Sequence, residues 1–138
     1  MNRRDLQAIA RIRIREAGIL LRSQQYPGAY YLLGYSIECA LKAAIAKQTN
    51  RHDFPDKQLA NGAHTHNLEN LFKLSGLWTA FQNDKAANPQ LDVNWAVVKD
   101  WSEASRYQAN ITQLDAQDLH SACGSPQDGI FRWIRARW

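Results

Sequence analysis

The chain has 138 residues, of which 45% are hydrophobic and 22% charged, a size and composition typical of one folded domain and not of a disordered segment. We therefore expect a single domain over residues 1–138. Its two cysteines, Cys39 and Cys123, are too few and too far apart for a disulfide framework or a structural zinc site, which predicts free buried thiols and a cytoplasmic location. The net charge of +4 permits a nucleic-acid partner without requiring one.

The apolar residues recur with helical rather than strand periodicity, which predicts an all-α fold of five or six antiparallel helices. The first helix is expected from Arg4 to Gln24. Arg13 falls within its apolar arc and should therefore be paired. On the opposite side, arginines at spacings of seven, four and seven residues form one line, which is either a solvated basic face or a contact for nucleic acid that weakens steeply with salt. These arginines are Arg4, Arg11, Arg15 and Arg22.

The second helix is predicted from the sequence GAYYLLGYSIECALKAAIAK, residues 28–47, which follows the break at Pro27. Its apolar surface is wider than one stripe, which indicates a central helix that contacts several neighbours. Glu38 lies in its middle, with Lys42 one turn later. Glu38 is either part of a surface pair with Lys42 or a buried carboxylate that Arg13 or Arg106 neutralises. These charges also argue against a membrane span.

The remaining chain is predicted to form shorter helices separated by polar segments. Residues 48–65 are polar and are predicted to form the longest irregular segment. A third helix should start near Thr65 or His66 and stop at Gly76, with Leu77 to Phe81 as a further extension before a polar turn at residues 82–92. Further helices are expected at Val93 to about Tyr107, Asp115 to Cys123 and Pro126 to Trp138.

The histidines do not form a recognised metal-binding pattern. His64 and His66, together with His52, could bind a divalent metal through neutral imidazoles, but their spacing matches no structural zinc site. The better interpretation of His66 is a residue that packs against or caps the start of the third helix. We predict no metal and no cofactor. The sequence also lacks a phosphate-binding glycine loop and a serine-nucleophile elbow.

A second polar cluster occurs in WSEASRYQ, residues 101–108. Arg106 falls where the preceding helix should end, where an arginine opposes the negative end of the helix dipole. Alternatively, Trp101, Arg106 and Tyr107 form an aromatic and cationic group that stacks on a base or holds a phosphate. The sequence leaves both functions open for this cluster.

Four segments of the chain resemble, in order and spacing, the HEPN domain family of small α-helical proteins. They are the second helix, HTHNLENLF, WSEASRY and GIFRWI, and the most specific match is Gly34, Tyr35, Glu38, Leu41, Lys42 and Ala43. The resemblance covers roughly residues 5 to 135. It implies an up-and-down helical bundle, a homodimer with a cleft between protomers, and often a ribonuclease toxin encoded beside a nucleotidyltransferase antitoxin.

Ribonucleases of this family carry an arginine followed, after four to six residues, by a histidine. Downstream of Arg106 those positions hold Ile111, Thr112 and Gln113, so the standard site is missing. Two hypotheses follow. The first is a binding module for a nucleotide, RNA or a nucleotidyltransferase-type partner, which uses Glu38, Lys42, Arg106 and Tyr107. The second is a ribonuclease with an altered site, with Arg106 for charge stabilisation and His66 or His120 for proton transfer.

Overall fold

The structure, a computed structural model, describes residues 1–49 and 62–138. These residues form seven α-helices and one 3-10 helix, with no strand among them. The all-α prediction is therefore confirmed, although the helices in the described ranges outnumber the five or six expected. Most of the irregular segment predicted at residues 48–65 lies outside the residues that the structure describes. The α-helices are α1 (Arg3–Arg22), α2 (Tyr26–Thr49), α3 (Leu68–Leu74), α4 (Trp78–Ala87), α5 (Pro89–Lys99), α6 (Gln113–Gly124) and α7 (Ile130–Arg135), and the 3-10 helix is Glu103–Tyr107.

Helix α2 is the centre of the fold, as its wide apolar surface predicted. It packs along α1 and also contacts α3, the 3-10 helix, α6 and α7. Ala29, Leu33, Ile37, Ala40 and Ala44 are all buried, because neighbours cover α2 on several sides. A side chain on α2 is therefore exposed to solvent only where those neighbours leave the helix uncovered. The polar residues Ser36 and Glu38 are buried as well and therefore need hydrogen-bond partners within the fold.

The third predicted helix divides at Gly76, whose φ of 79° lies in the left-handed region that glycine adopts without strain. The expected stop is thus confirmed, and α4 starts just beyond it. The polar turn predicted at 82–92 is wrong, because α4 continues to Ala87 and α5 already starts at Pro89, which leaves only Asn88 between the two helices. Buried Phe81 anchors α4 to the core while Asn83 and Asp84 face solvent, so the polar composition reflects an exposed helix face.

The predicted helix from Val93 to Tyr107 also divides. Helix α5 ends at Lys99, and Ser102 begins the separate 3-10 helix, with its side-chain oxygen accepting a hydrogen bond from the Ala104 amide at 3.2 Å. Trp101 lies between the two and turns into the core. The last predicted helix is shorter than expected and occupies only Ile130–Arg135. The helix predicted at Asp115 to Cys123 is confirmed as α6.

Packed aromatic rings in the core join α3, α4, α5 and α7. The Phe72 ring lies 4.5 Å from that of Phe81, 5.1 Å from that of Trp95 and 5.8 Å from that of Trp133, measured between centroids. The Trp78 ring packs in an edge-to-face arrangement with that of Phe72. Because these rings come from four short helices, their contacts hold in place elements that would be marginal alone.

Across the part of the chain that the structure describes, no helix combines the length and the apolarity needed to span a bilayer. The apolar sequence of α2 serves the core instead.

Candidate functional site

One face of α2 carries a row of polar and aromatic side chains. Tyr31, Tyr35, Glu38 and Lys42 are spaced by four, three and four residues, which places them on the same side of a helix. Tyr31 and Tyr35 stack with their ring centroids 6.0 Å apart. Two groups of residues from other parts of the chain meet this row, one at Glu38 and one at Tyr31.

The first group, which we call the Glu38 centre, consists of Glu38, Lys42 and His66. Glu38 is 2% exposed, and each of its oxygens has a partner. Lys42 Nζ donates to Oε2 at 3.2 Å, and His66 Nδ1 lies 2.9 Å from Oε1. The prediction that Arg106 or Arg13 neutralises Glu38 is therefore wrong. Arg13 pairs instead with Glu16, three residues later on its own helix.

Local structure at the start of α3 places His66 against Glu38. Asn67 caps the helix by accepting a hydrogen bond from the Asn70 amide at 2.9 Å, and Thr65 accepts one from the Asn67 amide at 3.1 Å. Buried Leu68 then fixes α3 on the core. His66 therefore sits one residue before the cap, with its side chain half exposed.

The contact with Glu38 uses one of the two ring nitrogens of His66. Lys42 Nζ donates one hydrogen bond to Glu38, and an ionised carboxylate only accepts hydrogen bonds. Toward an ionised carboxylate Nδ1 of His66 is the donor, so Nε2 is the ring nitrogen that the contact with Glu38 does not use. This is the arrangement by which a carboxylate orients a histidine for acid–base chemistry.

The second group, which we call the aromatic cluster, consists of Tyr31, Trp101, Arg106 and Tyr107. The buried Trp101 ring stacks on that of Tyr31 with 6.1 Å between centroids. Arg106 lies over the ring of Tyr107 at 4.9 Å, and Tyr107 is 79% exposed. The nearby Tyr107 and, less strongly, Tyr31 raise the pKa of Arg106. The cluster thus has an apolar floor and an exposed cationic edge.

Gly34 makes the aromatic cluster possible. A Cβ atom at this position would lie 2.0 Å from the Trp101 ring, so only glycine allows the indole to rest directly on the backbone of α2. Gly34 is part of the sequence match that the resemblance rests on. Its physical role is to leave space for the ring of Trp101, the residue that connects α5 to the 3-10 helix.

The two groups lie along the same face of α2. Tyr31 and Glu38 are seven residues apart, which corresponds to about 10 Å along the axis of an α-helix. Arg106 meets α2 at Tyr31, and His66 meets it at Glu38. Of the predicted site residues, Glu38, Lys42 and His66 are therefore in contact with one another, while Arg106 and Tyr107 belong to the neighbouring aromatic cluster.

His120 lies elsewhere. It belongs to α6, and its Nε2 atom is next to Gly18 of α1. Burial, and then the positive charge of Arg22, lower the pKa of His120 from 6.5. Its described neighbours thus place it against Gly18 and near Arg22 in the last turns of α1, separate from the contacts of Glu38 and of Tyr31.

No group of three or more metal-ligating side chains occurs in residues 1–49 and 62–138. His52, the third histidine of the metal-binding alternative, lies outside the described residues. His64 is exposed.

The two cysteines should be unreactive in the folded protein. Burial is the main cause that raises the pKa of Cys39 to about 11, and burial also raises the pKa of Cys123, so neither thiolate forms near neutral pH. We expect an aromatic disulfide reagent at pH 8 to label neither thiol in the native protein and both after denaturation in urea. Rapid labelling of the native protein would show that one of these thiols is accessible.

Sequence reasoning missed Tyr31 as a site residue. The signal was present, because Tyr31, Tyr35, Glu38 and Lys42 follow the spacing of a single helix face. The contact of Trp101 with Gly34 carried no such local signal, since the two residues are 67 positions apart.

A comparison of the chain with protein-family models, with curated proteins and with solved structures found no match. Any function must therefore be argued from the side chains of the α2 face.

Proposed function

We propose that this chain is a HEPN-like binding module that binds single-stranded RNA or a nucleotide at the α2 face. The observation that carries this proposal is the aromatic cluster, in which the exposed Tyr107 ring and the Arg106 guanidinium stand beside Tyr31. An exposed aromatic ring offers a base a stacking partner worth about 1–3 kcal/mol, and a guanidinium pairs with phosphate.

The aromatic cluster is built to hold its shape before a ligand arrives. Trp101 is buried against Gly34 and stacks on Tyr31, so the floor under Arg106 is rigid. A preformed surface costs less ordering entropy on binding than a flexible one does. The neighbouring Glu38 centre adds Lys42 as a further cation and His66 as a hydrogen-bonding group along the same face.

Binding of a labelled short single-stranded RNA, followed by fluorescence anisotropy, tests this proposal. We expect Tyr107→Ala and Arg106→Ala each to weaken binding by about 5- to 100-fold, because each removes a stacking or phosphate contact. The matched controls are Leu114→Ala, at another exposed apolar side chain, and Arg132→Ala, at an exposed arginine on α7. Equal affinity for all four variants would contradict the proposal.

A second candidate function is RNA cleavage, and the observation in its favour is the pairing of His66 with buried Glu38. Of the two histidines considered for proton transfer, His66 is the better candidate, because its half-exposed side chain contacts Glu38 on the α2 face while His120 lies against α1. Here Nε2 of His66 would take the proton of a ribose 2′-hydroxyl as its oxygen attacks the adjacent phosphorus, and Arg106 would stabilise charge on the phosphate. The bond to the 5′-oxygen would break, and water would supply the proton for that oxygen.

Incubation of the purified protein with labelled single-stranded RNA distinguishes the two functions. If the protein cleaves RNA, we expect His66→Ala to reduce the rate by about 10²–10⁴-fold, the usual contribution of general acid–base catalysis. His64→Ala is the matched control, because it removes an exposed histidine only two residues away. Intact RNA after incubation with the wild-type protein would remove the enzyme hypothesis and leave the binding proposal standing.

The homodimer and the nucleotidyltransferase-type partner stay predictions that rest on the family resemblance. The tryptophans give little reason to expect a dimer interface, because four of them are buried within the chain: Trp95, Trp101, Trp133 and Trp138. Light scattering at micromolar concentration would test the dimer, and a monomer would contradict it.

A further inference from the structure

The outer face of α1 presents a straight line of positive charge. Its four arginines, Arg4, Arg11, Arg15 and Arg22, are all exposed, as their spacing predicted. From Arg4 to Arg22 the line is about 27 Å long, at roughly 1.5 Å per residue of α-helix. Because α1 is one unbroken helix from Arg3 to Arg22, the backbone positions of the four arginines lie in a fixed row. We call this row the arginine line.

Acidic side chains do not neutralise the arginine line. Within the described ranges 1–49 and 62–138, none of its four members forms a salt bridge. The two acids of α1 are engaged elsewhere, since Asp5 completes the capping box with Asn2 and Glu16 pairs with Arg13. Like charges aligned on one face repel one another, and a polyanion would relieve that repulsion.

The arginine line continues into a cavity at the start of α1. Asn2, Arg3, Arg4 and Gln7 line this cavity, whose volume is about 510 Å³. Arg3 Nη2 donates to the Trp138 carbonyl at 2.7 Å, while Arg3 Nε is buried and has no hydrogen-bond partner among the described residues. An anionic group in the cavity would face two guanidinium groups and add to the contacts of the line.

We propose that the arginine line binds the sugar–phosphate backbone of a nucleic-acid duplex, without reading its base sequence. This surface lies on α1 and is separate from the α2 face of the proposed function. Residues 1–25 contain no aromatic side chain on which an unpaired base could stack. A row of cations at regular positions on one helix instead matches the regular phosphates of a duplex, which carries one charge per roughly 1.7 Å of its axis.

An anionic membrane is a poorer ligand for the same face. A helix that lies on a bilayer inserts a broad apolar side among the acyl chains. In this fold the apolar side of α1 packs against α2, and Ala10 and Ala17 are completely buried. Only Ile12 and Ile19 are large apolar side chains exposed along the helix after Met1. The charge of this face is therefore available to a ligand, while its apolar surface is not.

The test is the salt dependence of binding to labelled duplexes of two unrelated sequences. With four phosphates contacted, the slope of log K against log salt concentration should be about −3.6 for duplex DNA, at roughly −0.9 per contact. We expect the double variant Arg4→Gln/Arg15→Gln to make the slope less negative by about 1.8 and to weaken binding to the two duplexes equally. The control Arg132→Gln removes one exposed arginine on α7 and should leave the slope unchanged.

Three results would overturn the duplex proposal: no duplex binding at low salt, a slope that Arg4→Gln/Arg15→Gln leaves unchanged, or tighter binding to vesicles that contain phosphatidylserine than to duplex. Circular dichroism of each variant verifies that α1 is still folded. The result is independent of the single-stranded RNA experiment, because Tyr107→Ala should leave the duplex affinity unchanged.

Discussion

Gly34→Ala should destabilise the protein by about 3 kcal/mol, the upper part of the range for overpacking a core. The added methyl group would lie 2.0 Å from the Trp101 ring, and the indole cannot yield without leaving Tyr31 and moving the 3-10 helix. Urea unfolding followed by circular dichroism measures the loss. The same variant should also weaken binding of single-stranded RNA, because Arg106 follows Trp101 on the chain.

The control for Gly34→Ala is Gly124→Ala. Gly124 is the last residue of α6, and a Cβ atom there would meet nothing within 4 Å. We expect a change within about 0.5 kcal/mol, as for other surface substitutions. If Gly34→Ala were as stable as Gly124→Ala, Trp101 could not rest on the backbone of α2 as described.

Phe72→Ala should cost about 3–5 kcal/mol, the usual loss for a buried phenylalanine. Phe72 is completely buried and its ring contacts those of Trp78, Phe81, Trp95 and Trp133, so truncation would open a cavity shared by four helices. The free energy of unfolding in urea gives the loss. Phe72→Leu should lose less, because leucine fills most of the same volume.

The Phe72 substitution also tests how the core supports the Glu38 centre. Helix α3 is seven residues long and depends on packing for its stability. A loosened α3 would let His66 move away from Glu38. Val93→Ala, at a side chain that is 56% exposed, is the control and should change stability by about 0.5 kcal/mol or less. A loss from Phe72→Ala no larger than that control would contradict the packing of Phe72 on its neighbouring rings as the anchor of α3.

The parts of the fold that were predicted correctly are those with strong local signals. Helices α1 and α2 follow from apolar residues at helical spacing, and the break before α4 follows from Gly76. Residues 82–87 were wrongly predicted as a turn because an exposed helix and a polar turn have the same composition. The helix ending at Lys99 was missed because Trp101 looked like a continuation of the apolar pattern.

The candidate site shows the same division. That Glu38 needs a partner could be read from its place in an apolar helix, and Lys42 was evident from its spacing. The sequence did not show that the second partner is His66 instead of Arg106 or Arg13. Glu38 and His66 are 28 residues apart, and only the packing of α3 on α2 brings them together.

The amino-acid sequence by itself determined an all-helical chain, a central α2 with a carboxylate in its middle, and a line of arginines along α1. Each of these depends on residues within a few turns of one another, where helical periodicity relates sequence to position. Tertiary structure alone decided that Glu38 holds His66 and that Trp101 rests on Gly34. Those contacts join distant segments, and they depend on which helices pack together and on the shape of the surfaces that meet.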